Sequence, residues 1–475
     1  MSMQKNDLVR RAMNRRRFLG MGGAAGMGAL LAACAPPAPA TAPSNAPAAP
    51  AAATKAPEAA APATNGAGVT LNTLNENWGE IYNNLMLEIS NDFTKDTNIK
   101  LEWNFDPDFT TKLTTLLAAN TPPDLTIMRP GPLARLAPKG ALMELGNFVK
   151  QAGYTREDFI TAMYDSGSVE GKLYAIPGGA DYICMFYSKS LYKEAGLDPE
   201  KPPTTTAELI EHSKQILKKD AAGEIERVGF IPETGRFVEW SFIHGGQFYD
   251  AAAGKVTANH PANVATLEWL TSYVKELDIN KLAAFTKRPG TYEAGNPFST
   301  KQAAYIFDGF WTYEALDQHA PDIDYAVTYY PTVSGKPEDR KNYAISGWSY
   351  SIPTGSKHAE EAWKFIRYAF IDKSAVMGYK TLNGTTVLKQ FKQWEDGVRA
   401  KMGDKNRMSK YLDVFTSTGA AATNFFPIIP VQSFYNDELR RVVDLVFRSE
   451  LTPKAGLDEV NKNVQAELEK VLKGG

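Results

Sequence analysis

Short apolar strands alternate with amphipathic helices along this chain from residue 69 onwards. Residues 69–75 predict a strand, and residues 81–93 carry a single apolar stripe typical of a helix. Residues 99–105 alternate between apolar and polar side chains, which predicts a second strand. Strands that alternate with helices indicate βαβ units and a mainly parallel sheet. The predicted fold class is therefore α/β.

The alternation restarts further along the chain, which indicates a second sheet. Its first strand is predicted at residues 182–187, and later strands at residues 228–231, 303–307, 325–329 and 350–352. From residue 357 nearly the whole sequence predicts helices. About 400 residues follow the first 68, a length that suggests two domains. We therefore predict two lobes, each a mainly parallel sheet flanked by helices, with a helical C-terminal part and a ligand cleft between the lobes.

Residues 1–33 predict an export signal. Basic side chains cluster before position 18, and an apolar run rich in Gly and Ala extends from Phe18 to Ala33. A charged start followed by a short apolar run is a secretory signal, and this run is shorter than the ~20 residues of a membrane span. The segment Arg15–Leu19 is similar to the twin-arginine signature. An ordinary basic start of the general secretory route is the alternative.

Cys34 directly follows this apolar run. The sequence Leu31–Cys34 resembles a bacterial lipobox, which implies cleavage before Cys34 and acylation of its thiol and amino groups. More than one acyl chain is what a stable anchor requires, and a plain small-residue cleavage site is the alternative. The following tract, up to residue 68, is nearly all Ala, Pro, Thr, Ser, Gly and Asn. It predicts a disordered stalk with a reach on the order of 100 Å.

The charge of the chain argues against a nucleic-acid partner. The full chain has a formal net charge of −2, and residues 1–33 hold six basic side chains and one acidic one, so the remainder lies at about −7. A nucleic-acid-binding protein presents a basic face instead. The chain has two cysteines, and acylation of Cys34 leaves Cys184 with no disulfide partner. Cys184 stands in an apolar run, where a small buried side chain is expected.

Several local patterns together resemble the family 1 extracellular solute-binding proteins, the receptors of bacterial ABC importers. The segments that carry the resemblance are Lys112–Leu125, Ala137–Leu145, Gly171–Pro177, Tyr187–Leu197, Lys301–Trp311 and Ser346–Ile352. Their order and spacing agree with the family from residue 69 to residue 472. The resemblance implies a lipid-anchored, extracytoplasmic, monomeric receptor. Such a receptor captures a sugar or oligosaccharide between its lobes and delivers it to the transmembrane subunits of an importer, without a cofactor.

The resemblance also implies where the chain crosses between the lobes. Crossovers are expected near Pro177, Tyr325 and Asp372. Lobe 1 then comprises residues 69–177 with 326–372, and lobe 2 comprises residues 178–325 with 373–475. The lobes are expected to close around the ligand by a hinge motion, and the importer to recognise the closed form.

Sugars present apolar ring faces and a rim of hydroxyl groups, so their sites need aromatic side chains for stacking and fixed polar side chains for hydrogen bonds. We selected candidates at the ends of predicted strands, at the first crossover, or shortly before the glycine pair Gly245–Gly246. They are Trp78, Arg129, Asp181, Tyr182, Glu239, Trp240, Asp308, Trp311 and Trp348. Trp311 matches the family position whose Trp stacks on the ligand. Core packing for each Trp and a capping or turn role for each carboxylate are the alternatives.

No catalytic residue and no metal site are predicted. The five His show no paired metal spacing, and Gly347–Ser351 misses the G-x-S-x-G nucleophile motif at its last position. A carboxylate pair for glycoside hydrolysis is a spatial arrangement that sequence does not reveal. A secreted carbohydrate-active enzyme, a binder of a peptide or polyol, and a ligand-carrying partner of a sensor therefore stay as alternatives.

Overall fold

The computed structural model describes residues 68–290, 293–403 and 406–474. The predicted export signal, Cys34 and the stalk up to residue 67 lie outside the described residues. Within the described residues, no helix combines the length and the apolar character that crossing a membrane requires. No group of three or more His, Cys, Asp or Glu side chains in this part of the chain is arranged to hold a metal ion.

The strands of the described residues are β1 (Thr70–Glu76), β2 (Lys100–Asp106), β3 (Leu125–Met128), β4 (Ser168–Val169), β5 (Lys172–Leu173), β6 (Ile176–Asp181), β7 (Ile183–Ser188), β8 (Lys218–Lys219), β9 (Ile225–Arg227), β10 (Tyr249–Asp250), β11 (Lys255–Val256), β12 (Tyr305–Gly309), β13 (Tyr325–Thr328) and β14 (Ser346–Ser351).

The helices are α1 (Glu80–Thr97), α2 (Phe109–Ala118), α3 (Pro130–Leu136), α4 (Gly146–Gln151), α5 (Thr161–Ser166), α6 (Lys189–Glu194), α7 (Thr206–Ile216), α8 (Phe237–Ile243), α9 (Pro261–Leu277), α10 (Ile279–Phe285), α11 (Thr312–His319), α12 (Ala359–Ile366), α13 (Ser374–Thr381), α14 (Phe391–Met402), α15 (Leu412–Ala421), α16 (Gln432–Phe447) and α17 (Pro453–Gly474). Local signals explain several boundaries. The Asp108 side chain caps α2, Thr205 and Glu208 form a capping box on α7, and the left-handed residue Asn98 ends α1.

Lobe 1 is built on a five-stranded sheet in the order β2-β1-β3-β14-β6. Strand β1 pairs in parallel with β2 and β3, and β14 runs antiparallel to both β3 and β6. Four of the five strands therefore share one direction, as predicted. The core of this lobe packs α1 and α12 on the sheet through aromatic contacts such as that of Trp103 with Phe365, at 5.9 Å between centroids. The Tyr350 ring stacks at 4.3 Å on Phe370, which follows α12.

Lobe 2 is built on a three-stranded sheet in the order β12-β7-β13. Here β7 runs antiparallel to both neighbours, so the predicted parallel direction is wrong for this sheet. The reason is the connection from lobe 1. Only Tyr182 separates β6 from β7, so β7 enters the second sheet from the cleft edge, whereas β12 and β13 run towards that edge. A separate core packs around Phe230, Trp240 and Tyr273. Two sheets with two cores confirm the predicted two-lobed α/β architecture.

The first two crossovers lie later in the chain than predicted. Strand β6 still belongs to the first sheet, so the first crossover is at Tyr182 and not near Pro177. Strand β13 pairs with β7, so residues 326–328 belong to lobe 2 and the second crossover lies between residues 328 and 346. The third crossover extends from the predicted Asp372 to Trp394, because Ala375 and Trp394 belong to the core of lobe 2 whereas Val387, between them, belongs to that of lobe 1.

Candidate ligand-binding cleft

Three adjoining chambers lie between the two lobes. We name them after one charged residue each: the Glu239 chamber (about 100 Å³), the Arg129 chamber (about 210 Å³) and the Asp165 chamber (about 360 Å³). Phe426 lines the first two and Phe425 lines the last two, so the chambers adjoin one another along these two rings.

The lobe 1 wall of the cleft begins with an ion pair at two neighbouring strand ends. Strands β1 and β3 are parallel neighbours, so their carboxyl ends place Glu76 and Arg129 side by side. The guanidinium of Arg129 donates from Nε and Nη2 to Oε2 of Glu76, at 3.1 and 2.8 Å. Its Cζ also lies 5.1 Å from the centroid of the Trp78 ring, within cation–π distance. The charge of Arg129 is therefore neutralised and its position fixed before any ligand arrives.

An aromatic cluster lies behind Arg129, outside the lining of the three chambers. The half-buried Trp78 contacts Tyr82 edge-on at 4.4 Å and Trp348 at 5.5 Å between centroids. Trp348 is only 4% exposed, and it packs so closely on β6 that a Cβ on Gly178 would lie 1.9 Å from its ring. Glycine is therefore required beneath Trp348. Trp348 acts as a floor that supports Trp78, and its own face is not offered to the cleft.

Asp181 is the last residue of β6 and lies where the two lobes meet. Its carboxylate accepts hydrogen bonds from Oγ of Ser346 at 2.8 Å and from Nδ2 of Asn383 at 3.0 Å. Burial raises the pKa of Asp181, whereas the hydrogen bond from Ser346 and the charge of Arg129 lower it. Asp308 of lobe 2 raises this pKa further. The predicted residues Arg129, Asp181 and Asp308 are therefore close enough to interact electrostatically across the lobe boundary.

The lobe 2 wall is formed by the first turn of α8 and by Tyr330, which follows β13. Strands β12 and β13 share one direction, so Asp308 and Tyr330 reach the same edge of the sheet. Glu239 of α8 lines the Glu239 chamber together with Tyr330. Burial raises the pKa of Glu239, and the nearby charge of Arg236 opposes that rise. In the part of the chain that the structure describes, Oε2 of Glu239 is buried and has no hydrogen-bond partner.

Comparison with known proteins shows which family the chain belongs to. The family of bacterial extracellular solute-binding proteins matches residues 75–375. The chain belongs to this family. The resemblance seen in the sequence is therefore confirmed.

Individual relatives are distant in sequence. The arabinooligosaccharide-binding protein of Bacillus subtilis (strain 168) is 23% identical over 363 residues, which cover 72% of this chain and 78% of that protein. The diacetylchitobiose binding protein DasA of Streptomyces coelicolor is 24% identical over 296 residues, which cover 60% of this chain and 66% of that protein. Other relatives are matched over about half of their length.

A solved structure agrees with the fold. The structure of CpMnBP1 with mannotriose bound superposes with a TM-score of 0.68 at 23% identity, covering 83% of this chain and 100% of that one. This likeness extends over both lobes and supports the two-lobed architecture of this solute-binding protein.

Two predicted site residues of this solute-binding protein lie in its core. Tyr182 is 1% exposed and donates its hydroxyl hydrogen bond to the carbonyl of Thr385. Trp240 is 2% exposed and packs edge-on against Phe307 and Tyr330. Tyr182 lies at the first crossover and Trp240 shortly before Gly245, as the selection required, but each side chain faces inwards. We leave both out of the proposed ligand site and assign them to packing.

The remaining lobe 2 candidates lie at the end of β12. Asp308 is buried, and its Oδ1 accepts a hydrogen bond from the backbone N–H of Gly309 at 2.8 Å. Trp311 is half-buried, and its ring covers Gly309, where an added Cβ would lie 2.3 Å from the indole. Both stay candidates for the ligand site, although neither lines the three chambers.

Sequence reasoning missed several cleft residues. Glu76 ends β1, so the strand-end criterion that selected Trp78 also applied to it. Phe425 and Phe426 stand after α15 in a segment with Pro427 and Pro430, where half-buried aromatic side chains next to prolines are a weak signal of a binding loop. The backbone of Asn424 holds this segment against the second crossover through hydrogen bonds with Tyr343 and Ile345. Sequence order gives no hint of that contact.

Proposed function

We propose that this protein is an extracytoplasmic, lipid-anchored receptor that captures an oligosaccharide between its lobes and delivers it to an ABC import permease. The observation that carries the proposal is the row of adjoining chambers between the lobes, with Arg129 backed by aromatic rings on lobe 1 and a carboxylate with aromatic neighbours on lobe 2. Aromatic rings beside fixed polar groups suit a ligand with apolar ring faces and a hydroxyl rim.

The shape of the cleft supports an oligosaccharide over a single sugar. The Arg129 and Asp165 chambers connect along Phe425, and the Glu239 chamber joins them along Phe426. A linear ligand of two or three sugar units would touch both aromatic rings, whereas a monosaccharide would occupy one chamber. The printed names of the reported relatives, which concern arabinooligosaccharide, diacetylchitobiose and mannotriose, point to the same size class.

Ligand binding would favour the closed arrangement of the lobes. A solute that contacts Arg129 on one wall and Glu239 on the other gains both sets of contacts only when the walls approach each other. A ligand shifts a conformational equilibrium only by this difference in affinity. Delivery then follows if the permease recognises the closed lobes, and the acylated Cys34 with its stalk would keep the receptor near that partner. Export by the twin-arginine route remains part of this proposal.

The direct test is binding by the Cys34→Ser protein, which lacks the acylation site. Calorimetry against neutral disaccharides and trisaccharides, monosaccharides, polyols and short peptides should give micromolar or tighter affinity for an oligosaccharide. If only a peptide or a polyol bound, that solute would replace the oligosaccharide as the proposed ligand. If no small solute bound, the proposal would be overturned.

The enzyme alternative is separated by the fate of the ligand. A receptor returns the oligosaccharide unchanged after prolonged incubation, whereas a glycosidase shortens it. Chromatography of the recovered glycan measures this difference. A role with a sensor instead of a permease is distinguished by which membrane protein crosslinks to the ligand-bound receptor.

A further inference from the structure

The charged side chains that line the cleft are not equally neutralised. In the Arg129 chamber, Arg129 forms its ion pair with Glu76 at 2.8 Å. In the Asp165 chamber, Asp165 accepts a hydrogen bond from Nε of Arg156 at 2.6 Å. Each of these two chambers therefore presents a paired charge whose field largely cancels at the distance of a ligand.

Glu239 differs from both. Within the described residues it forms no salt bridge, and its buried Oε2 accepts no hydrogen bond. The guanidinium of Arg236 is the nearest opposite charge that acts on it. That guanidinium is directed to Oε2 of Glu233 at 3.5 Å and to the hydroxyl of Tyr330 at 3.4 Å. Glu239 therefore lines its chamber with a carboxylate that no described residue pairs, and its buried Oε2 gains a donor only if the side chain moves as a ligand enters.

A second carboxylate adjoins this chamber. Ser346 lines both the Glu239 chamber and the Arg129 chamber, and its hydroxyl donates to Asp181. The donors on Asp181 are the neutral groups Ser346 and Asn383. They stabilise the carboxylate but do not neutralise its negative charge. Asp308 adds a further negative charge that acts on Asp181. The cleft thus has an acidic end at the Glu239 chamber and a neutralised end at the Arg129 and Asp165 chambers.

We infer that Glu239 determines the charge class of the ligand: the cleft selects a saccharide that carries no negative charge and turns a donor-rich edge, hydroxyl or ammonium, towards this carboxylate. The inference rests on the proposed function and narrows its substrate class. An ionised carboxylate only accepts hydrogen bonds, so the solute must supply the donor. Closure of the lobes excludes water from the cleft. A solute without a donor then binds more weakly because the buried carboxylate stays unsatisfied, and a solute anion binds more weakly still because it is repelled. Uronate and phosphate groups are therefore excluded from this end of the cleft.

The test compares saccharides matched in length and linkage but different in charge. Cello-oligosaccharides against glucosamine oligomers, and fully methyl-esterified oligogalacturonates against the free oligogalacturonates, are titrated into the Cys34→Ser protein by calorimetry and thermal shift. We expect every bound saccharide to be neutral or cationic, with an anionic counterpart at least tenfold weaker. An oligogalacturonate that binds as tightly as its neutral counterpart, or more tightly, would overturn the inference. If saccharides of all three charge classes fail to bind, the proposed function itself is wrong.

Glu239→Gln tests the residue assignment, because it keeps the size of the side chain and removes the charge. The variant should bind the preferred saccharide about tenfold more weakly and should lose at least half of its discrimination, on a logarithmic scale, against anionic saccharides. The matched control is Glu268→Gln, which removes the same charge from an exposed position on α9 of the same lobe. Thermal unfolding of each unliganded variant shows that the fold is intact. Equal discrimination in wild type and Glu239→Gln would contradict the assignment.

Discussion

The two walls of the cleft differ in how completely their polar groups are satisfied before a ligand binds. On lobe 1, Arg129 is held by Glu76 and by the Trp78 ring, and Trp78 rests on the buried Trp348. On lobe 2, Glu239 keeps a buried oxygen that accepts no hydrogen bond from any described residue. Lobe 1 therefore offers a preorganised platform, whereas lobe 2 holds an unfavourable buried group that a ligand can relieve. Lobe 1 therefore provides a rigid surface for recognition, and lobe 2 provides the free energy that favours closure when a ligand binds.

The largest expected effect comes from disturbing the floor of the lobe 1 platform. Gly178→Ala introduces a Cβ at 1.9 Å from the Trp348 ring, so either the strand or the indole must move. We expect a loss of about 3 kcal/mol in the free energy of unfolding, typical of an overpacked core, together with weaker ligand binding. Urea unfolding followed by intrinsic fluorescence measures the loss.

The control for this substitution is Gly131→Ala in α3, where the new Cβ would lie 3.4 Å from Oγ of Ser433 and no close contact with a ring forms. That variant should lose much less stability than Gly178→Ala. Equal losses would show that the Trp348 floor is not specially constrained.

The next effect tests the platform itself. Trp78→Ala removes a half-buried ring that helps to hold Arg129. We expect ligand affinity to fall by about 2 kcal/mol, roughly thirtyfold, because an aromatic stacking surface is lost. The free energy of unfolding should change by less than about 1 kcal/mol, since this side chain is partly exposed.

Calorimetry with the preferred oligosaccharide measures the loss in affinity. Trp78→Phe keeps a ring at the same position and should recover most of the affinity. If Trp78→Ala bound the ligand like wild type, the lobe 1 wall would not be the stacking platform.

A smaller effect is the pH dependence of stability that follows from the buried Glu239 carboxylate on lobe 2. Burial raises the pKa of Glu239 in the folded state. Its contribution to stability is therefore fully present below the unfolded pKa, about 4.3, and is lost as pH rises through the folded pKa. Glu239→Gln removes this titration, so the unliganded variant should become more stable relative to wild type as pH rises from 4 to 8, by about 1 kcal/mol.

Urea unfolding of the two proteins at pH 4 and pH 8 gives this difference, and the Glu268→Gln protein serves as the reference for a loss of surface charge. Asp181 titrates with the same sign in wild type and variant, so it cancels in the comparison. A difference that shrinks as pH rises would mean that Glu239 is stabilised as the anion.

The smallest expected effect separates anchoring from recognition. Cys34→Ser should release the protein from membranes, because acylation requires the thiol, while solute affinity stays within about twofold of wild type. Membrane fractionation and calorimetry on the same preparation measure both quantities. A membrane-bound Cys34→Ser protein would place the anchor elsewhere.

Much of the lobe 1 site could be predicted from the sequence. Trp78 and Arg129 follow buried strands directly, and parallel neighbouring strands end at a common edge, so their proximity follows from local pattern and sheet topology. The lobe 2 prediction was less complete. The α8 segment contributes both Glu239 and Trp240, which are consecutive in the sequence but face the cleft and the core respectively.

Local pattern was enough to predict the alternation of strands and helices, the membership of the family, and the two strand ends that carry the lobe 1 wall. These features depend on periodicity and on the order of motifs along one chain. The burial of Tyr182, the direction of β7 against its neighbours, and the place of Phe425 and Phe426 in the cleft became visible in the folded chain alone. Each of these depends on contacts between distant segments, as between Tyr182 and Thr385, which are 203 residues apart. Side-chain direction at a strand or helix end changes with a single residue, so local pattern does not determine which side chains such contacts bring together.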